Sequence, residues 1–307
     1  DLAVVVEFAD FPSVDALTEA RTREMRMTRW IFVSDLQLRP DDAEHEERRR
    51  LLIERVAAEK PDFVIDGGDH VAGQVNDEPE EVARVAQMWA AYHRATAPLT
   101  QLCPVIHSVG NHDQTGSNPT SEEYLRQVGR QGQRTYFAKT IGGLHIASID
   151  TTNGRHRGGF VDRAQTRWLR RDLRTSRRAR CTIVVGHYPV LVAPWVLDHS
   201  VLRDEEPETQ GLLLPMLLEA GVDLLLCGHL HAYERARFET VTQVMTSASD
   251  IFSEDMEEKP GEYRVAFDKR QTYARFVLDG STIRGEAVSA NGEIVDAWTQ
   301  ELLPKPG

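Results

Sequence analysis

Five short blocks of the chain carry side chains of the kinds that bind metal ions, and each block follows an apolar run of strand type. In chain order they are Val33-Ser34-Asp35-Leu36-Gln37, Asp66-Gly67-Gly68-Asp69, Gly110-Asn111-His112-Asp113, Gly186-His187 and Gly228-His229-Leu230-His231. Carboxylate, amide oxygen and imidazole donors together suit Mn, Fe, Zn or Co better than Ca or Mg. Two such ions about 3.5–4 Å apart clamp a phosphate and lower the pKa of a bound water. The blocks therefore predict a dinuclear metal centre that hydrolyses a phosphate ester.

The combination of blocks is more specific than any single block. A lone Gly-Asp or Gly-His pair after a strand is more often an ordinary turn, whereas five such blocks in one chain are hard to explain as turns. Four blocks include a glycine at or just before the ligand, which lets the backbone turn sharply and an ion approach closely. Asp69 has two carboxylate oxygens and can bridge two cations, while His229 and His231 can serve different ions.

The blocks lie in an alternating series of predicted strands and helices. Apolar β-rich runs predict strands at 30–34, 63–66, 105–109, 144–150, 182–186 and 224–227, and helical periodicity predicts helices at 41–59, 78–97, 164–174 and 212–220. This alternation indicates an α/β fold with a mostly parallel sheet that is covered on both faces. Polar residues that directly follow such strands collect at the carboxyl edge of the sheet, where ligands bind.

The pattern changes after Cys227 to closely spaced strands. They are predicted at 240–247, 263–265, 272–278, 282–289 and 294–300. Asp279-Gly280 and Asn291-Gly292 predict hairpin turns, because glycine takes the positive φ that these turns need. We expect this antiparallel part to close a second sheet against the first. Residues 1–28 form an N-terminal extension of unknown role, for which a packing arm and a dimer contact are both open, and residues 29–307 form the catalytic domain.

The five blocks resemble the motifs of the calcineurin-like metallophosphoesterase superfamily, which read Asp-x-His, Gly-Asp, Gly-Asn-His-Asp/Glu, Gly-His and Gly-His-x-His. The resemblance runs from about residue 30 to 298 and implies the four-layer α/β/β/α sandwich of that superfamily. It implies a first metal ion on Asp35 and His231, a bridge at Asp69, and a second metal ion on Asn111, His187 and His229. It also implies that His112 faces the phosphate as general acid or transition-state clamp, and that Asn111 contacts a phosphate oxygen.

Two positions depart from the superfamily pattern. Gln37 stands where the first block of the family has a histidine, and a neutral amide is a poorer ligand for a transition metal than imidazole. Gln37 can ligate weakly, hold a metal-bound water or leave the first site with lower affinity, so we expect a firm second site and a looser first one. Ala72 stands where many relatives carry an aspartate that orients the catalytic histidine. The orientation of His112 is therefore open, with Asp113 as a candidate.

The segment 229–235 is similar to the corresponding stretch of purple acid phosphatases. Those enzymes use a tyrosine ligand three residues after the bridging aspartate, and Ala72 occupies that position, so a tyrosinate-bound ferric site is not implied. His70, next to the bridging aspartate, is a candidate for substrate contact. Trp195 is another, because it lies in the loop after His187 and such loops often decide specificity.

The formal net charge of -12 argues against a protein built to grip nucleic acid through its phosphates. Residues 155–180 are rich in arginine. This segment is either a solvated helix face or a basic rim that attracts an anionic substrate. The apolar runs are too short to span a bilayer, and the start of the chain lacks a secretory pattern. Three widely separated cysteines fit a reducing cytoplasm.

These features predict an enzyme that acts on a small phosphorylated substrate, without a membrane partner and with nucleic acid disfavoured. Phosphomonoesters and phosphodiesters, including cyclic nucleotides, are both open, and so is homo-oligomerisation. Two alternatives share the fold. One is a binding scaffold with impaired catalysis, which Gln37 alone supports, and the other is a nuclease of the same superfamily.

Overall fold

The computed structural model of the chain describes residues 27–73, 79–114, 121–152, 161–191, 207–250 and 262–305. Its helices are α1 (Ala43–Ala58), α2 (Pro79–Leu102), α3 (Glu122–Gln127), α4 (Arg163–Thr175) and α5 (Pro207–Glu219), with short 3-10 turns at Asn111–Asp113 and Ser176–Arg178. Its strands are β1 (Thr28–Val33), β2 (Phe63–Asp66), β3 (Val105–His107), β4 (Phe137–Ile141), β5 (Leu144–Ser148), β6 (Cys181–Val185), β7 (Leu224–Cys227), β8 (Tyr233–Phe238), β9 (Val241–Met245), β10 (Arg264–Asp268), β11 (Thr272–Asp279), β12 (Thr282–Ser289) and β13 (Ile294–Glu301).

The strands form two sheets. The first has the order β13-β12-β11-β1-β2-β3 and the second the order β10-β8-β9-β7-β6-β5-β4. Neighbouring strands run parallel from β1 to β3, and again along β5, β6, β7 and β9. The parallel series predicted from the sequence is therefore divided between the two sheets.

The C-terminal strands do not form a sheet of their own, which corrects the expectation from the sequence. β11 pairs antiparallel with β1, so that Thr28 lies opposite Leu278 and β11–β13 extend the first sheet. β8–β10 join the second sheet instead. The antiparallel hairpins predicted at the two glycine turns are confirmed, since β12 pairs with both β11 and β13 and the turn glycines have φ of 60° and 93°.

Side-chain alternation along the strands builds the layers. In β1, Trp30 and Phe32 face the second sheet and contribute to the core between the sheets, while Ile31 and Val33 face α1 and α2. Trp30 stacks on Phe276 of β11 with 4.9 Å between ring centroids. α4 and α5 cover the outer face of the second sheet through a third apolar cluster. The α/β/β/α sandwich expected from the sequence is thereby confirmed.

Several elements differ from the prediction. The edge strand β4, strand β8 and the short helix α3 were not predicted, and α2 continues through Pro98 to Leu102. β4 exposes most of its residues and β8 carries three charged residues, so neither has the apolar character by which strands were identified. Residues 1–26 of the N-terminal extension lie outside the described residues. Within the described part, no helix combines the length and apolarity needed to cross a membrane.

Candidate active site

The candidate ligands lie where the carboxyl edges of the two sheets meet. The first three blocks leave β1, β2 and β3 of the first sheet, and the last two leave β6 and β7 of the second. Hydrogen bonds join the loops across this junction. Ala248 N, after β9, donates to Ser34 O at 2.8 Å, and His187 Nδ1, after β6, donates to Gly67 O at 3.0 Å. The site is therefore built between two sheets rather than at the edge of one.

Two buried carboxylates and a buried imidazole form the floor of the site. Asp35, Asp69 and His187 are each at most 1% exposed. His187 Nε2 lies 3.2 Å from Asp69 Oδ2 and 3.9 Å from Asp35 Oδ1. One ligand atom each of Asp35, Asp69 and His231 lies within 4.8 Å of the others, as a metal site requires.

The orientation of His187 leaves one ring nitrogen for a cation. Its Nδ1 donates to Gly67 O at 3.0 Å, which directs Nε2 toward the carboxylates. Nε2 is buried and has no hydrogen-bond partner among the described residues. Burial by itself would lower the pKa of His187, but Asp69 and then Asp35 outweigh it and raise the pKa to about 9. In the metal-free protein the ring therefore holds a proton beside Asp69, which a metal ion would displace on binding. A buried ring nitrogen without a hydrogen bond beside two carboxylates fits such a metal ligand.

His229 and Asn111 form one side of the rim. His229 Nδ1 lies 2.9 Å from Asn111 Oδ1, and the backbone N–H of His229 donates to Asp35 Oδ1 at 3.0 Å. Burial lowers the pKa of His229 well below its ordinary value, and His187 lowers it further, so the ring is neutral as metal binding requires. The ring of Tyr188 packs on His229 with 3.9 Å between centroids.

Gln37 lies among the candidate ligands of the first metal ion. It is 2% exposed, and its Nε2 lies 3.3 Å from both Asp69 Oδ2 and His231 Nε2. Its Oε1 accepts a hydrogen bond from Ser249 Oγ at 3.5 Å. The amide thus directs its N–H groups at two atoms that a metal ion would need.

A backbone carbonyl orients His112. Its Nδ1 lies 2.8 Å from Gly73 O, and its backbone N–H donates to Asp69 Oδ1 at 2.8 Å. Asp113 does not orient His112, contrary to the suggestion from the sequence, because its carboxylate hydrogen-bonds to other groups. Many relatives orient this histidine with an aspartate at the position of Ala72. Here the backbone carbonyl of Gly73, one residue later, makes that contact instead. Residue types carry no signal for such a carbonyl contact.

Two candidates for substrate contact have different outcomes. His70 is fully buried, its Nδ1 lies 2.8 Å from Asp113 Oδ2, and its ring lies among aromatic side chains. It cannot contact a substrate, so that prediction is wrong; the residue after Asp69 turns its side chain into the core beneath the site. Trp195 lies outside the described residues. The assignments of the other site residues stay predictions that this geometry supports.

The ligand loops have a strained backbone. Seven non-glycine residues in the described part have positive φ, and five of them are site residues, namely Asp35 (57°), Gln37 (45°), Asp69 (54°), His229 (75°) and His231 (54°). Such a conformation costs on the order of 1–3 kcal/mol per residue and persists only where the surroundings impose it. Its concentration here indicates that the fold fixes the ligand positions, which is typical of functional sites.

The glycines beside the ligands let the loops approach one another. A Cβ on Gly228 would lie 2.1 Å from Ser34 Oγ, and a Cβ on Gly110 would lie 2.1 Å from Asp69 N. The sequence suggested that these glycines admit an ion. The contacts show that they admit the neighbouring loop, which brings ligands from separate strands together.

The chain is similar to known phosphoesterases in sequence and in fold. Residues 28–233 match the family model described as calcineurin-like phosphoesterase. The chain is 24% identical to Purple acid phosphatase 18 of Arabidopsis thaliana over 158 residues, which are 48% of this chain and 35% of that protein. It is 26% identical to a probable cyclic nucleotide phosphodiesterase of Rhodococcus erythropolis over 160 residues, which are 52% of this chain and 50% of that protein.

A solved structure agrees with the fold. A purple acid phosphatase from yellow lupin (Lupinus luteus) seeds superimposes with a TM-score of 0.71 at 14% identity, over 91% of this chain and 54% of that one. The matches in sequence span about a third to a half of the length of these relatives. The fold, the arrangement of the site and the match to the family model are those of the metallophosphoesterase class of proteins. The chain belongs to the calcineurin-like phosphoesterase family.

Proposed function

We propose that this protein hydrolyses phosphate esters with two divalent transition-metal ions, Mn, Fe or Zn, bound between the two sheets. The observation that carries the proposal is the buried Nε2 of His187, which lacks a hydrogen-bond partner among the described residues and lies 3.2 Å from Asp69 Oδ2. A cluster of buried carboxylates and imidazoles is costly unless a cation compensates the negative charge.

The donor set fits two ions. Asp35, His231 and the shared Asp69 would hold the first, and Asn111, His187 and His229 would hold the second beside the same Asp69. When bound, such ions neutralise the phosphate oxygens and lower the pKa of a water so that it can attack near neutral pH. Gln37 is the seventh candidate, as a weak ligand or as a hydrogen-bond donor to the ligands.

His112 and Asn111 are the proposed catalytic residues. Nδ1 of His112 donates to Gly73 O, which leaves Nε2 available; in the doubly protonated ring Nε2 can give its proton to the leaving oxygen of the ester, and the ring then stays neutral with its proton on Nδ1. Asn111 accepts from His229 through Oδ1, which leaves its Nδ2 to donate to a phosphate oxygen. Both residues are only partly buried, so a substrate can reach them.

The names of the relatives support both a monoester and a diester as substrate. One relative is a purple acid phosphatase and another a probable cyclic nucleotide phosphodiesterase. The same ligand set serves both reactions, and the shape of the surrounding pocket decides between them. We therefore propose the phosphate ester bond as the site of attack, with the alcohol or nucleoside part to be determined by screening.

The test is reconstitution of the chelator-treated protein with Mn²⁺, Fe²⁺ or Zn²⁺. Each form is assayed against p-nitrophenyl phosphate, bis-p-nitrophenyl phosphate and cyclic nucleotides. We expect release of product from at least one substrate class, dependent on added metal. Absence of hydrolysis with every metal, in protein that binds metal, would refute the proposed activity and favour a binding scaffold.

A further inference from the structure

One carboxylate beneath the site accepts hydrogen bonds from backbone N–H groups of two ligand loops. Asp113 is fully buried, and its carboxylate accepts hydrogen bonds from Asp69 N (3.0 Å), His70 N (2.8 Å) and Gly110 N (2.8 Å). His70 Nδ1 donates to the same carboxylate at 2.8 Å. Hydrogen bonds to an ionised carboxylate are about twice as strong as neutral ones. Asp113 itself is not a candidate ligand.

These bonds join the loop after β2 to the loop after β3. Asp113 ends the 3-10 turn that contains Asn111 and His112, whereas its partners Asp69 and His70 lie in the other loop. The link is reciprocal, because Asp69 Oδ1 accepts the backbone N–H of His112 at 2.8 Å. Two carboxylates thus exchange backbone hydrogen bonds across the loops. This exchange fixes the distance between the bridging carboxylate and the proposed general acid.

His70 fixes the position of Asp113 from the side of the core. Its ring packs against four others, with centroid distances of 5.5 Å to Trp89, 5.0 Å to Tyr92, 5.4 Å to His107 and 5.7 Å to Tyr124. These rings come from α2, β3 and α3, so the histidine is held by packing that involves no candidate ligand. The hydrogen bond to Asp113 then transmits this rigidity to the loops.

We propose that the Asp113–His70 pair holds Asp69 and His112 in their relative positions before a metal ion binds. The pair thereby determines metal affinity and turnover. The proposal rests on the metal site of the proposed function, and it needs the proposed hydrolysis only for its effect on turnover. Asp69 has φ of 54°, a conformation that its surroundings must impose. Loss of the bonds from Asp113 releases that backbone, and a bridging ligand that is not preorganised binds metal less tightly.

The direct test is Asp113→Asn. An asparagine offers one oxygen where the carboxylate offers two, and its amide N–H groups oppose the backbone donors. We expect metal affinity to fall by about 10–100-fold, the range seen when residues that support metal ligands are changed. We expect kcat to fall with KM little changed, and excess metal to restore part of the activity.

The matched control is Asp172→Asn. Asp172 Oδ2 lies 2.7 Å from Nε2 of the nearly buried His145, so the same kind of pair joins α4 to β5 on the outer face of the second sheet. We expect this variant to keep wild-type metal affinity, kcat and KM. An equal loss of metal affinity in both variants would mean general destabilisation and would overturn the proposal. So would wild-type metal affinity in folded Asp113→Asn protein.

A second variant decides the question if Asp113→Asn does not fold. His70→Asn keeps a side-chain N–H donor beside Asp113 but removes the ring that the core holds. Metal affinity reduced by about tenfold or more, measured by calorimetry on folded protein, supports the proposal. Unchanged affinity overturns it. Because calorimetry needs no turnover, an inactive wild type that binds metal would refute the proposed function alone.

Discussion

Replacing Gln37 with histidine should tighten the binding of the first metal ion. The amide Nε2 of Gln37 lies 3.3 Å from Asp69 Oδ2 and 3.3 Å from His231 Nε2, so an imidazole at this position would lie beside both. The backbone there has φ of 45°, in the left-handed region that histidine tolerates better than most residues. The substitution therefore adds a good transition-metal ligand without a new demand on the backbone.

The magnitude follows from the hydrogen bonds that are lost. A hydrogen bond contributes about 0.5–1.5 kcal/mol net to a neutral group, such as the His231 ring, and about 1.5–3 kcal/mol to a charged one, such as the Asp69 carboxylate, so the two amide contacts stabilise the metal-free site by about 2–4.5 kcal/mol. A metal ion must break them, and their removal should raise affinity by about 30- to 2000-fold. Gln37→Ala separates the roles. If the amide of Gln37 only forms hydrogen bonds to the ligands, the alanine variant should bind the first metal ion more tightly by this factor. If Oε1 is itself a ligand, the variant should bind that ion more weakly.

The assay is competition with a fluorescent chelator, together with the number of metal ions per chain after dialysis. Gln300→His is the matched control, because Gln300 is a buried glutamine whose Nε2 donates to Asp223 O at 3.2 Å, at the opposite end of β7. We expect the control to leave affinity unchanged. If neither change at Gln37 alters affinity, Gln37 is a bystander and the reasoning is refuted.

Three further predictions concern other parts of the site. Asn111→Ala should abolish hydrolysis and reduce bound metal, because it removes the Oδ1 that lies 2.9 Å from His229 Nδ1; metal per chain and kcat/KM check this, and wild-type values would contradict it. In metal-free protein, burial by itself lowers the pKa of His70, but the charges of Asp113 and Asp66 outweigh burial and raise the pKa to about 9. The protonated ring therefore stabilises the fold fully below the ordinary pKa of 6.5, and this stabilisation is lost as pH rises through 9. The difference in Tm between the wild type and His70→Asn should accordingly shrink between pH 6 and pH 10. Asp250→Asn should lower the free energy of unfolding by on the order of 1–3 kcal/mol, because fully buried Arg49 donates to Asp250 at 3.1 Å; an unchanged urea midpoint would contradict it.

The sequence by itself determined the ligand types and the elements that carry them. Each ligand block directly follows an apolar strand, and the spacing of strands and helices is a local property that side-chain periodicity records. The hairpins at Gly280 and Gly292 were predictable for the same reason, because positive φ is a demand on one residue.

The tertiary structure decided which strands pair and what supports each ligand. Thr28 lies opposite Leu278, and no local pattern specifies a pairing over that separation. Gly73 orients His112 through a carbonyl that every residue possesses, so its identity carries no signal. His70 follows a ligand in sequence yet lies in the core, because the backbone at Asp69 has a left-handed conformation that turns the next side chain away. Local residue types thus supply the ligands, whereas contacts between distant segments determine their geometry.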